Sequence, residues 1–254
     1  MDTIKIDKKQ VRMVAHAGLF GLETANTNAG FIAAGNRSYW GVECDVRAAK
    51  DGLVIIHNDS TEGLAPVTMI MSESTVEQIH QVVLYDCPFF HTMEDYGLTP
   101  GMKAPRSDLR IPTLQEYIRI CKAYGKVCVA ELKHAMTPET IAQVFECFKE
   151  QDYLDKVVFI SFFWDNLTEI RKHLPACPVQ FLTDEKHVFT DEFLDKVAAH
   201  GFDLDIHIFT TTKELVDRIH ARGIKVNVWT CDWIDKAQNL VEWGVDYITS
   251  NIIE

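Results

Sequence analysis

Short β-rich runs recur along the whole chain, and helical patterns separate them. They read as strands over residues 12–16, 40–48, 53–57, 126–133, 157–162, 178–183, 202–207, 224–230 and 245–250. Helical periodicity occupies the spans near 24–35, 113–124, 138–150, 165–174, 190–200, 211–222 and 233–243. The strands are near-continuous apolar runs, the pattern of parallel strands buried on both faces. "KDG" at 50–52 reads as a hairpin-like return that joins 40–48 to 53–57. Eight strand-then-helix units remain, and they predict an α/β fold, a TIM (β/α)8 barrel. An open doubly wound sheet is the runner-up, weakened because no GxGxxG follows the first strand. Thr137 before Pro138 reads as a helix cap, and Thr211 with Glu214 has capping-box spacing. The last strand ends at Ser250 and the sequence at Glu254, so an eighth helix is missing or replaced by another segment.

The span 60–111 breaks this rhythm. Residues 71–84 look like a short helix, and the stretch that follows has turns and no period. Connections this long are uncommon unless they cover a site. The expectation is a single barrel domain over 1–254, with 60–111 as an insertion over the barrel mouth. The net charge of −12, with no Lys/Arg cluster, argues against nucleic acid or anionic lipid as a partner. Seven cysteines, an odd number without CxxC spacing, read as free thiols in a reducing compartment. The N-terminus is polar, and no apolar stretch approaches membrane-spanning length. The cytoplasm is the expected location, and homo-oligomerisation is left open.

Polarity enters the strands at their C-terminal ends, which form the active-site face of such a barrel. His16, His57, Ser161, Trp229 and Thr249 all sit there, as do Glu43, Asp45 and Arg47 on one strand and Glu131 and Lys133 on another. Side chains two apart on a strand point the same way. Glu43 and Asp45 therefore share a face, as do Glu131 and Lys133. If that face is the interior, three carboxylates converge at a cost that one hard divalent cation resolves. The oxygen-rich set favours Mg²⁺ or Ca²⁺ over zinc. The competing reading is an outward face paired with surface lysines, or a plain Glu131–Lys133 ion pair. His16 and His57 end strands beside the Glu43/Asp45 strand and suit general acid–base work. The other eight histidines read as structural. Ala17 and Gly18 leave space above His16 for a substrate, and a left-handed turn that needs glycine is compatible with this.

Several motifs carry a family resemblance. "VAHAG" followed by "ANT" at 25–27, "GVECDVRAAKDGLVIIHND" at 41–59, "IPTLQE" at 111–116 and "VAELK" at 129–133 resemble the glycerophosphodiester phosphodiesterases. "VNVWTCD" and "GVDYITSN" continue the match through most of the chain. The resemblance implies a metal-dependent barrel that hydrolyses glycerophosphodiesters to sn-glycerol 3-phosphate and an alcohol. It implies His16 and His57 as the acid/base pair and Glu43, Asp45 and Glu131 as ligands of one divalent cation. It also implies Lys133 as a phosphate-neutralising lysine and Trp229 as a wall of the glycerol or alcohol pocket.

The chain departs from the family pattern in three places. Ala17 stands where the family has arginine, Ala25 where it has glutamate, and "SNI" where it has Asp-Arg-Pro. Arg47, on the Glu43/Asp45 face, is the expected substitute for the lost phosphate-binding arginine. Three rival functions follow. One is a related lyase or phospholipase-D-like barrel releasing a cyclic phosphate. Another is a metal-free aldolase with Lys133 as Schiff-base amine. The third is a weakly active phosphodiester-binding protein, suggested by Ala17.

Overall fold

The computed structural model describes residues 2–87 and 105–254. Its sheet comprises β1 (Arg12–Ala15), β2 (Gly41–Ala48), β3 (Leu53–Ile55), β4 (Val127–Leu132), β5 (Val157–Ser161), β6 (Val179–Thr183), β7 (Asp203–His207), β8 (Val226–Trp229) and β9 (Tyr247–Ser250). β1 pairs in parallel with both β2 and β9, so the sheet closes on itself. β3 lies antiparallel on β2, the hairpin expected at "KDG". Setting β3 aside from the nine strands leaves eight parallel ones, the (β/α)8 barrel expected from the repeat count.

The helices are α1 (Asn28–Gly35), α2 (Val76–His80), α3 (Leu114–Ala123), α4 (Pro138–Glu150), α5 (Trp164–His173), α6 (Asp191–Ala199), α7 (Lys213–His220) and α8 (Ile234–Trp243). Thr137 caps α4 with Pro138 in its first turn, as read from the sequence. The cap of α7 is one residue later than expected. Thr212 accepts from the Leu215 N–H, whereas the Thr211 hydroxyl donates to the His207 carbonyl. Thr211 is therefore tied to the preceding turn and is unavailable as a cap.

Alternation along the strands divides the core. Cys44, Val46, Ala130, Leu132 and Phe159 join the large cluster packed with the helices. Val14, Val129, Val158, Ile160 and Leu182 form a separate, smaller cluster. These apolar side chains fill the barrel, as interior layers do. The interior also holds a polar layer, of which the strand-end reading names Thr249 and misses Asn227 and Gln180. Asn227 donates to Gln180 at 3.1 Å and accepts from Thr249 at 3.2 Å. These polar residues lie within strands and satisfy one another.

Residues 251–254, which follow β9, form no helix and pair with residues 4–6. Ile4 and Ile253 form a parallel bridge. Ile4 N–H donates to Ile252, and Glu254 N–H to Ile4, each at 2.9 Å. Ile252 and Ile253 are buried, and Ile4 and Ile6 pack on the same core. Within the span 60–111, Met71, Ile79, Leu84, Leu109 and Ile111 build a second cluster against Val54 and Ile56. Residues 88–104 of that span lie outside the described residues. All seven cysteines are free. No helix among the described residues is long and apolar enough to cross a membrane.

Candidate active site

The parallel register sets Asp45 beside Glu131 and Glu43 beside Val129. Glu43, Asp45 and Glu131 are all buried, and each offers an oxygen within 4.8 Å of the others. They line a cavity of about 290 Å³ with His16, His57, Lys133, Phe162, Asp205 and Trp229. Converging carboxylates perturb one another. Burial, then the charges of Asp45 and Glu131, pushes the Glu43 carboxyl well above its ordinary range. Burial, with Asp45 beside it, raises Glu131 to about 7. Asp45 behaves oppositely. Burial would raise it, but His57, Lys133 and His16 outweigh burial and hold it below the carboxylate range.

Lys133 is the cation in this group. Its Nζ lies 2.9 Å from Glu131 Oε1 and 3.5 Å from Asp45 Oδ1. Burial alone would lower the ammonium, but Asp45 and Glu131 keep it above the usual lysine value. A Schiff-base lysine must be a free amine, whereas the Lys133 Nζ is paired with two carboxylates. One lysine still leaves three carboxylates undercompensated. Glu43 Oε1 is buried without a hydrogen-bond partner. An oxygen-rich trio with an orphaned carboxylate oxygen fits a hard cation.

Each imidazole is held through Nδ1. His57 Nδ1 lies 3.2 Å from Asp45 Oδ2, with the side chain 63% exposed. His16 is half-buried, its Nδ1 2.7 Å from Asn251 Oδ1. Asn251 is itself oriented, because its Nδ2 donates to Asp232 Oδ2 at 2.7 Å and its backbone N–H to Oδ1 at 2.8 Å. The amide must therefore turn its oxygen toward His16, so His16 Nδ1 carries the proton and Nε2 the lone pair. Burial lowers the His16 pKa, partly offset by the Asn251 bond, and favours the neutral ring.

The turn after His16 serves the carboxylates. Ala17 has φ 47°, and its N–H donates to Glu43 Oε2 at 2.6 Å. Gly18 has φ +84°, and a Cβ there would lie 2.8 Å from the Gly30 backbone in α1. Glycine at 18 thus answers to a left-handed turn pressed on a helix. Asn26 completes the frame: Nδ2 donates to Asp45 Oδ2 at 2.7 Å, and Oδ1 accepts from Asp45 N–H at 3.1 Å.

Trp229 forms the opposite wall, edge-on to Phe162 at 5.7 Å and His207 at 4.9 Å. Its Nε1 donates to the Asp205 carbonyl at 3.3 Å. Arg47 is not among the residues of this wall. Its Nε donates to the His57 carbonyl at 2.8 Å, so it braces the turn that carries His57.

A model of the glycerophosphoryl diester phosphodiesterase family matches residues 16–254. The chain belongs to that family. A glycerophosphodiester phosphodiesterase of Caldanaerobacter subterraneus is 24% identical, over 94% of this chain and 93% of the relative. An Oleispira antarctica phosphodiesterase, solved in complex with the product sn-glycerol-3-phosphate, aligns with TM-score 0.79 and 24% identity, covering 98% of this chain and 96% of that one. The Thermotoga maritima glycerophosphodiester phosphodiesterase aligns with TM-score 0.71 and 20% identity, covering 95% and 94%. These structures share the barrel.

Of the residues singled out from the sequence of this family member, His16, His57, Glu43, Asp45, Glu131, Lys133 and Trp229 line one cavity. Asn26, Asp232 and Asn251 carry no role in the sequence reading, although each falls inside a quoted motif. Asp205 is missed as well. It is buried, lines the cavity and has an unpartnered Oδ1. Its signal is the two-residue spacing to His207, which places both on one face of β7. His207, read as structural, packs against Trp229. His91 lies outside the described residues.

Proposed function

We propose that this chain hydrolyses glycerophosphodiesters to sn-glycerol 3-phosphate and an alcohol. The observation that supports this most is the pair of Nδ1-anchored imidazoles beside a buried carboxylate trio and one ammonium. Glu43, Asp45 and Glu131 would hold one divalent cation, Mg²⁺ or Ca²⁺, which when bound supplies positive charge to the phosphate oxygens.

The protein's own groups do the rest. Lys133 offers an ammonium to the phosphate. His16, neutral with Nε2 free, takes the proton of the attacking water. His57 then delivers a proton from Nε2 to the leaving alkoxide, since its Nδ1 is committed to Asp45. Trp229 and Phe162 supply an apolar wall for the glycerol carbons, and Asp205 a polar partner for a hydroxyl. Burial and the charge of Glu131 raise Asp205 well above its ordinary value. A neutral carboxyl can donate as well as accept. The segment 60–111 acts as an insertion in a single barrel domain, and the free thiols suit a cytoplasmic enzyme.

A second reading has its own support. Ala17 leaves the phosphate without the family arginine, and Arg47 is occupied at His57. With fewer charges on the phosphate, attack by the substrate's own neighbouring hydroxyl would give a cyclic phosphate through the same histidines. A coupled assay for glycerol 3-phosphate, run on glycerophosphocholine, glycerophosphoethanolamine and glycerophosphoinositol with Mg²⁺, Ca²⁺ or chelator, tests the first reading. Phosphorus NMR of the product separates the two. Substantial turnover by His16→Ala or Glu43→Ala would reject the assigned site.

A further inference from the structure

A second cavity, of about 300 Å³, adjoins the first at the two histidines. His16, Asp45 and His57 are common to both cavities. A group filling the second cavity therefore lies against the reacting centre. Its character is different. Phe20, Ile56, Leu64 and Leu84 line it, together with Ala17 and Ala25, the two positions where the chain lacks the family's charged residues. The polar side chains there are largely committed. Thr24 accepts from Cys87 N–H at 2.8 Å, and Asn26 holds Asp45. Among the described residues, no lysine, arginine or glutamate lines it, and the one aspartate there, Asp45, is held by His57, Lys133 and Asn26. A cationic or anionic head group placed there would be desolvated without a dedicated partner, at high cost.

Resting on the phosphodiesterase reading, we propose that this chamber receives the leaving alcohol of the substrate, and that the alcohol is a hydrocarbon one. The substrate class is then a glycerophosphodiester whose second ester carries an alkyl or aryl group. The acidic, tryptophan-walled cavity takes the glycerol arm, and the apolar chamber takes the other. The chamber has about twice the ~150 Å³ known to admit a benzene ring. It stands at the small end of the ~300–1,000 Å³ typical of ligand pockets. It thus fits a short alkyl chain.

The test is a series of sn-glycero-3-phosphate esters of ethanol, butanol and hexanol, beside glycerophosphocholine, assayed for glycerol 3-phosphate release. We expect kcat/KM to climb by up to roughly fourfold per added methylene, the worth of a fully buried CH₂, and the hexyl ester to surpass glycerophosphocholine. Leu64→Trp, which fills the chamber, should flatten the series. Phe20→Ala, which enlarges it, should move the preference to longer alcohols. A parallel series with the alkyl group etherified to the glycerol should show no such climb. A flat first series, a slope that survives both variants, or a climb confined to the second series would overturn the assignment while leaving phosphodiester hydrolysis intact. Absence of release from every ester, glycerophosphocholine included, would overturn the hydrolase reading and this one with it.

Discussion

The chain from Asp232 through Asn251 to His16 sets a tautomer. Asp232 fixes the amide, the amide fixes the ring, and the ring presents Nε2 to the cavity. Replacing His16 by alanine removes the base and should lower kcat by roughly 10²–10⁴-fold. Asn251→Leu keeps the ring but frees its tautomer. A drop in kcat on the order of 10²-fold with little change in KM is expected, and an Asn251→Gln variant should recover part of it. Equal losses in KM and kcat would point to a collapsed pocket instead. Glu131 gives a stability signature. Its carboxyl rises from 4.5 to about 7 in the folded chain. Between those values the native state keeps a proton that the unfolded chain has released, so this contribution to stability falls as pH rises. In chelator, Glu131→Gln should therefore gain on the parent between pH 4.5 and 7 by thermal melting. A difference that does not vary with pH would remove Glu131 from the buried trio. Added Mg²⁺ or Ca²⁺ should raise the parent's midpoint and leave the variant's nearly unmoved.

Elements whose ends carry local chemistry are legible in the sequence. α4 begins at Pro138 because Thr137 accepts from the Thr140 N–H, and its loss as Thr137→Ala should cost about 1 kcal/mol. Thr212→Ala should cost α7 a similar amount in urea titrations, and the Thr211 variant should leave the helix terminus capped. The Glu43/Asp45 face is legible too, because strand alternation is local. The partners of those residues are not. Asn26 follows a turn and Asn251 follows a strand, so no period marks them. Asn26 reaches Asp45 because β2 lies beside β1, and Asn251 reaches His16 because β9 returns beside β1 after a full circuit of the sheet. Asp205 and Gln180 are hidden for a related reason. Each is a polar side chain inside a buried strand, and its meaning depends on which strands become neighbours.

At the scale of the whole molecule, the barrel is sealed where its first and last strands meet. Ile253 is fully buried at that seam, so Ile253→Ala should cost about 2–5 kcal/mol. A loss below 1 kcal/mol in chemical denaturation would show that the seam contributes little. The seam also bears on self-association. Sheet proteins aggregate or pair through free strand edges, where unsatisfied N–H and C=O groups await a partner. Here each of the eight parallel strands has a neighbour on both sides. β3, which hangs outside the ring, is met by Thr113 through a bridge to Val54 and by a Pro112 carbonyl that accepts from Ile55 N–H at 2.9 Å. Among the described residues, the sheet therefore presents no unpaired ladder, and two molecules that meet in solution must recognise each other through side chains.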